Sequence, residues 1–411
     1  MAKTKEVVVV DVVRSPIGKS GRKGMEKGGQ LCQASAQDLL ADVMRGLLDR
    51  THEKSPKFDE HDIEDVIVGI LSQIGEQGGN IARIASLMAG IPNEVAAYTI
   101  NQYCNAGLRA INSATHQMMI GDGDICICAG VEIMSHYGMG SDMEVAFKAN
   151  YPVRMSSKLM ESGMGVPQGL CAEMISEENG HTRELLDRAG AISMKKAVEA
   201  QRQGLYADHI IPVEFTWDDK KYVVETDETL RPKAADDFDG FMADLATLKP
   251  PFKPGGMVTA GNSSQIVDGA AAALLMTADK AEELELEPLV RIIGTASCGG
   301  EPVPMLLAPI PASQKALKRA GKTIDDMDVI EPNEAFMSPL IEFAKELGYE
   351  HDDPRVNPTG GAVALGHPIG ASGVVYFGEM VHHLKRTNGR CGLQMLCGGG
   401  GVGIAAVVER I

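Results

Sequence analysis

Residues 104–133 read CNAGLRAINSATHQMMIGDGDICICAGVEI, and the way this stretch is built decides the fold. Leu108, Ile111, Thr115 and Met118 fall at i, i+3, i+7 and i+10, the spacing that lays one buried stripe along a helix. The spacing predicts a helix from about Ala106 to Met119, opened by Cys104 and closed by a Gly-Asp-Gly turn. A strand over ICICAGV follows, in which Cys126 and Cys128 share one face as small buried hydrophobes. Residues 367–408, HPIGASGVVYFGEMVHHLKRTNGRCGLQMLCGGGGVGIAAVV, replay this plan. His367 stands where Cys104 stood, and Val374, Phe377, Val381 and Leu384 repeat the stripe. Gly107 and Gly370 each fall three residues after the reactive side chain. A duplicated βαβ-type unit is the economical account.

Outward from these two stretches, strand-like and helical runs alternate. VVVVDVV (7–13), a helix from about Ala36 to Leu48, DVIVGIL (65–71), a helix near NIARIASLMAG (80–90) and AAYTIN (96–101) give α/β order, with sheets between helix layers. The stretch at about 137–256 breaks that order. It holds helical text (AISMKKAVEAQRQGLY), the only tryptophan and the proline-rich KPPFKPGG, and reads as an inserted, mostly helical subdomain. Alternation resumes at MVTAGNSSQIVDGAAAALLMT (257–277), a turn feeding a small-residue helix or strand.

At 411 residues the chain is long enough for two or three structural units. No apolar run approaches the roughly 20 residues of a membrane-spanning helix, and MAKTKEVVVVDVV reads as a first strand and not a secretory leader, so a cytoplasmic protein without membrane partners is expected. The net charge of −17 repels phosphate backbones and argues against nucleic acid. Arg14, Lys19, Arg22 and Lys23 form one basic cluster, a solvated turn or at most a place for a small anion. The eight cysteines lack the paired CxxC spacing of zinc sites and the density of disulfide scaffolds, so most are expected reduced.

Three places carry chemistry. Cys104 follows a strand and opens a helix, a position expected to lower a thiol's pKa and yield a nucleophile; His367, framed by Gly360, Gly361, Gly366 and Gly370, is the imidazole to take its proton. Cys397 stands before four consecutive glycines where an apolar run wants to be a buried strand. A thiol there suits acid/base work, and side-chain-free backbone lets N–H groups reach a substrate carbonyl oxygen. A phosphate cradle fits poorly, since no Lys-Ser/Thr follows and no GxGxxG with a downstream acid is present. Asn333 and Glu334, between DVIE and a predicted helix, read either as a cap and turn or as an amide that holds a water.

NQYCNAGL, GNSSQIVDGAA, NEAF, GGAVALGHPIGASG and CGGGGVG stand in the order and approximate spacing of the thiolase family, and the chain resembles that family from VRSPIGK to its last strand. The resemblance implies two similar βαβαβαββ halves in five αβαβα layers with a loop domain inserted in the first, here about 1–284 (insertion 137–256) and 285–411. It places the acylated nucleophile on Cys104, the second acid/base cysteine on Cys397 and the histidine on His367. The water-holding asparagine falls on Asn333. One oxyanion hole would use His367 with the Asn333-bound water, the other the N–H groups of Cys104 and Gly399. Ser264 matches the pantetheine-contacting serine and Arg231 the arginine against the CoA adenine. Met164 and Phe336 match acyl-pocket walls.

By the same resemblance the expected activity is that of an acetyl-CoA C-acyltransferase, a 3-ketoacyl-CoA thiolase of fatty-acid β-oxidation. CoA thioesters are its substrates, no metal or other cofactor is implied, and a homodimer or homotetramer is the expected assembly. The alternatives are an acetyl-CoA C-acetyltransferase restricted to acetoacetyl-CoA, a decarboxylating ketosynthase of the same fold, and a non-catalytic CoA- or lipid-binding protein. Asn333 and Cys397 argue against the ketosynthase, which would use two histidines. Two positions depart from the family pattern: Asn105, where Gly or Ser is usual, and Met337, where Ala is usual. Both are expected to add bulk or polarity near the acyl pocket. Gly163 before Met164 also differs from the histidine-bearing loop of short-chain members.

Overall fold

The computed structural model describes residues 4–21, 25–151, 156–162 and 164–411. Its strands are β1 (Val7–Arg14), β2 (Gly18–Lys19), β3 (Asp65–Gly69), β4 (Ala96–Ile100), β5 (Ile125–Ile133), the pair β6 (Val213–Trp217) and β7 (Lys220–Val224), β8 (Val267–Thr277), β9 (Val290–Gly299), β10 (Val329–Pro332), β11 (Cys391–Gly398) and β12 (Val402–Arg410). Apart from the β6–β7 hairpin they form one sheet in the order β10-β11-β12-β9-β1-β8-β5-β3-β4, with β2 also on β8. β3 lies parallel to β4 and β5, β10 parallel to β11, and the remaining pairs are antiparallel.

Helices sort onto faces by the apolar stripes that create them. On one side α1 (Ala36–Lys54), α2 (Ile81–Met88) and α10 (Ala278–Glu283) cover the first-half strands; on the far side of the second half lie α11 (Pro309–Ala320) and α12 (Met337–Leu347). Between the halves run α3 (Ala106–Met119) and α13 (Ser372–Thr387), which touch strands of both. The two halves of the sheet join only where β1 meets β9, at Val8–Arg291 and Val9–Val290, and with α3 and α13 between them the layers run helix, half-sheet, helix, half-sheet, helix. β8 shows how both faces come to be buried: Ala271, Ala273 and Leu275 face the central helices, and Ala270, Ala272, Leu274 and Met276 face the α1 side. The Ala-rich text was ambiguous between helix and strand, and burial on both faces at period two settles it as a strand. The central stripes are deeply packed: Leu108, Ile111, Val374, Phe377, Val381 and Leu384 are all inaccessible to solvent. Truncating Phe377 to Ala would cost about 3–5 kcal/mol.

α3 and α13 cross on glycine. A methyl group on Gly107 would lie 2.8 Å from the Gly370 oxygen and 3.0 Å from the Val374 nitrogen, and one on Gly373 would fall onto the Leu108 nitrogen. The equivalent glycines of the two units therefore face each other, and only bare backbone permits this approach.

Between β5 and β8 the chain forms α4 (Ser141–Lys148), α5 (Ser157–Glu161), α6 (Gln168–Glu178), α7 (Arg183–Arg202), α8 (Lys233–Asp236) and α9 (Phe238–Ala246), together with the β6–β7 hairpin that carries the exposed Trp217. No helix among the described residues is long and apolar enough to cross a membrane.

Arg14 does not join the basic cluster expected near the start. Arg14 ends β1 fully buried, donating to Asp227 Oδ1 at 2.7 Å and Oδ2 at 2.9 Å and to Glu379 Oε1 at 2.9 Å; Glu379 Oε1 also pairs with His209 Nε2 at 2.8 Å. A bidentate carboxylate and a second acid satisfy the guanidinium inside the core, where an unpaired charge could not stay. Lys19 is exposed, and Arg22 and Lys23 lie outside the described residues.

Candidate active site

Cys104 sits in a turn between β4 and α3. The Tyr103 backbone is left-handed (φ 53°), and Asn105 N donates to the Gln102 oxygen at 3.1 Å and Ala106 N to the Tyr103 oxygen at 3.0 Å, so the chain reverses sharply before the helix starts. The thiol is buried among Met134, Ile369 and Leu71, near Gln168, the first residue of α6. Glu132 underlies the turn. Its carboxylate accepts from Leu71 N, Ser72 N and Gln77 Nε2, each at 3.0 Å, and from Gly370 N at 3.1 Å, tying the nucleophile's surroundings to the turn after His367.

The lowered thiol pKa expected for Cys104 is not what this environment produces. Burial pushes it well up, charge on Cys397 and on Glu132 pushes the same way, and the local backbone and Gln168 pull back only in part. Desolvation outweighs the helix end because that end's dipole amounts to a partial charge, whereas the thiolate loses nearly all its water. Cys397 is likewise pushed up by burial, to about 12. His367 is pushed down to about 4 by burial. At neutral pH the site thus holds two neutral thiols and a neutral imidazole, and a thiolate forms only as its proton leaves for a neighbouring base.

His367 precedes α13 on a tight loop. Its N–H donates to the Gln265 oxygen at 3.0 Å and its Nδ1 pairs with Ser372 Oγ at 2.6 Å. A hydroxyl can donate or accept, so Ser372 supports either imidazole tautomer. Nε2 is buried with no protein partner, which leaves it for a reacting group. Ser372 was not singled out in the sequence; its position at the first helical residue, five after His367, is the only signal it gave.

Cys397 is the penultimate residue of β11, and each glycine after it answers a different neighbour. A methyl on Gly398 would lie 3.0 Å from the Asn105 amide; one on Gly399 would lie 3.3 Å from the Tyr103 ring; one on Gly400 would lie 2.6 Å from the Met164 sulfur. Gly401 (φ 80°) turns the chain back into β12. The nucleophile's turn and the Cys397 hairpin are therefore in direct contact, and the run is bare because both sides close on it.

Asn333 follows the last residue of β10, buried beside the Cys397 thiol, and neither of its amide atoms has a hydrogen-bond partner. It is not a helix cap, since α12 is preceded by Phe336 in that position. Glu334 anchors the loop from below, accepting from Ser193 Oγ at 2.7 Å, Asn357 Nδ2 at 2.7 Å and Val363 N at 3.0 Å. Ser264 N donates to the Ala335 oxygen at 3.0 Å, and Gln265 Nε2 donates to the Val363 and Ala364 oxygens at 3.1 and 2.7 Å. One loop thus braces both the Asn333 and the His367 segments.

Phe336 is buried in a cluster with Cys397, Cys171, Val258 and Met305 and packs edge-on against Phe252 at 6.1 Å between centroids. Met164, more exposed, lies against Gly400 on the hairpin. Arg231 is exposed at a shallow concavity shared with Met194, Phe241 and Gln265, the last adjoining Ser264. Two expectations are corrected. Met337 packs with Leu186, Ala189, Leu340 and Val363 in a cluster separate from that of Cys397, because as first residue of α12 its side chain turns toward α7. Asn105 is fully buried, its amide held among backbone carbonyls of the hairpin instead of lining a pocket. Gly163 lies outside the described residues.

Residues 7–279 match the model for the thiolase N-terminal domain and residues 286–410 that for the thiolase C-terminal domain. The chain is 40% identical over 410 residues to a 3-ketoacyl-CoA thiolase of Idiomarina loihiensis (99% of this chain, 100% of the relative) and 39% identical over 410 residues to one of Alcanivorax borkumensis (99% of each). Among solved structures it is similar to the acetyl-CoA acetyltransferase of Bacillus anthracis, with a TM-score of 0.86 and 32% identity over 100% of both chains.

Proposed function

The chain belongs to the thiolase family, and from that premise we propose that it is a 3-ketoacyl-CoA thiolase, cleaving 3-oxoacyl-CoA with CoA through a thioester on Cys104. One observation carries the reading of the site. The turn of Cys104 and the hairpin of Cys397, from opposite halves of the chain, meet where the Asn105 amide reaches the Cys397 oxygen at 3.0 Å, charge on Cys397 bears on the Cys104 thiol, and the buried Asn333 beside Cys397 has both amide atoms without a partner.

In cleavage, the Cys104 sulfur bonds to the keto carbon of the substrate while its proton passes to His367 Nε2, and the resulting oxyanion takes hydrogen bonds. The Cα–Cβ bond breaks, and the enolate of acetyl-CoA takes the Cys397 proton. The Cys397 thiolate regains a proton from His367, and the neutral imidazole takes the proton of the CoA thiol as that sulfur attacks the acyl-cysteine. Cys104 leaves and recovers its proton from His367. Two raised thiol pKa values suit this cycle, since each proton moves only when a carbanion, an oxyanion or a sulfur nucleophile requires it. Asn333, with amide atoms unpaired, is the group to hold a water beside the oxyanion; Cys104 N–H and Gly399 N–H supply the second hole. Ser264 and Arg231 receive the pantetheine and adenine ends, and Met164 and Phe336 bound the acyl chain. The reading needs no metal or redox cofactor. We further assign the enzyme to fatty-acid β-oxidation in the cytoplasm, as a homodimer or homotetramer joined along β4, an edge strand that no other strand of the sheet covers.

Incubation with acetyl-CoA followed by intact-mass measurement and peptide mapping tests the chemistry: a gain of one acetyl group on Cys104, abolished in Cys104→Ala, is expected, and acetylation elsewhere or none refutes it. A second reading, restriction to acetoacetyl-CoA, is favoured by the likeness to the Bacillus anthracis enzyme. Thiolysis rates on 3-oxo chains of increasing length separate the two.

A further inference from the structure

Asn105 departs from the family pattern, and where it goes was not visible in the sequence. It follows the nucleophile, its side chain is wholly inaccessible to solvent, and its amide enters the mouth of the β11–β12 hairpin. With the nitrogen directed at β11 it donates to the Cys397 oxygen at 3.0 Å and the Leu396 oxygen at 3.1 Å. The opposite orientation would set the amide oxygen against those two carbonyls and leave the nitrogen only a 3.4 Å contact to the Val402 oxygen, so the first is adopted.

We propose that Asn105 is a positioning residue that fixes the main chain of Cys397 relative to Cys104. The inference rests on the roles assigned above to the two cysteines. The two sides of the contact are held unequally. Cys104 has its own turn, closed by the hydrogen bonds of Asn105 N and Ala106 N, and continues into α3. Cys397 is paired with Gly403 in the β11–β12 ladder, but the four residues that follow it carry no side chains, and the side-chain grip on its carbonyl comes from Asn105. The amide also occupies the space above Gly398, where a methyl would lie 3.0 Å from the amide oxygen of the adopted orientation and 3.3 Å from Cγ. Loss of the amide therefore frees the Cys397 end of the pair more than the Cys104 end.

The two cysteines act in separable half-reactions, which makes the proposal testable in the full-length enzyme. Exchange of labelled CoA into acetyl-CoA reads acyl transfer at Cys104; exchange of the acetyl-CoA methyl protons with deuterated water reads Cys397. In Asn105→Ala, methyl-proton exchange falls on the order of a hundredfold, the scale for a reacting group displaced by about an ångström, while CoA exchange stays within about threefold. Asn105→Ser, which keeps one donor, recovers part of the loss and also serves if the alanine variant folds poorly. An equal fall in both exchanges, or no fall in either, overturns the proposal. If the unaltered enzyme catalyses neither exchange, the assignment of the cysteines fails instead, and that outcome is distinct.

Discussion

The crossing of α3 and α13 sets the distance between the two halves of the chemistry, and Gly107→Ala tests it. Each helix carries a reactive residue just ahead of its first turn, so the closeness of the crossing fixes how near Cys104 and His367 can be. The added methyl would sit 2.8 Å from the Gly370 oxygen, about 0.6 Å short of the 3.4 Å at which ordinary contact begins. The neighbours are backbone and cannot swing aside. Two effects compete: alanine improves helix propensity by about 1 kcal/mol, and overpacking costs about 1–3 kcal/mol. Because the helices must part instead of a side chain yielding, we expect the clash to win, with a net loss of up to about 2 kcal/mol. An ångström of misplacement costs about a hundredfold in rate, so a shift of about 0.6 Å should lower kcat on the order of tenfold. Gly378→Ala is the control: it lies in α13 and gains the same propensity, but its methyl meets only the Val12 side chain, at 3.0 Å. Urea midpoints and steady-state thiolysis should separate the two variants. If Gly107→Ala matches the parent in both measurements, or Gly378→Ala is the more damaged, the crossing does not govern the site.

Two further outcomes follow from the site's protonation and packing. Because burial raises the Cys104 thiol, the thiolate fraction grows about tenfold per pH unit throughout the range below its pKa, and inactivation by iodoacetamide should climb without levelling from pH 6 to 9; a plateau near pH 7 would mean a standing thiolate. Ser372→Ala removes the sole partner found for His367 Nδ1 and should lower kcat about tenfold, the rate equivalent of one buried hydrogen bond. Ser372→Thr should retain most activity, and equal rates in the alanine variant and the parent would remove Ser372 from the account.

Much of the layer order was legible because it is written locally. The α3 stripe gives Ala106–Met119 from spacing alone, and the replayed plan at 367–408 announces a second unit. What stayed hidden depends on partners far along the chain. Arg14 looks like part of a basic turn until Asp227 and Glu379, 213 and 365 residues away, close around it. Glu132 reads as one more strand residue, yet it accepts from a loop some 60 residues before it and from Gly370, 238 residues after it. Cys104 shows a further limit. The helix that should favour its thiolate is visible in the text, but the desolvation that overrides it comes from Met134, Ile369 and Leu71, which only the assembled fold brings together.

β1 lies in the middle of the sheet with β8 on one side and β9 on the other. During synthesis VVVVDVVR leaves the ribosome roughly 260 residues before β8 begins, a delay of about 13–50 s at ordinary elongation rates. For that interval a strand of strong β propensity has no native partner, and its two open edges can pair with other nascent chains. The nascent polypeptide should therefore depend on holdase chaperones until β8 has emerged.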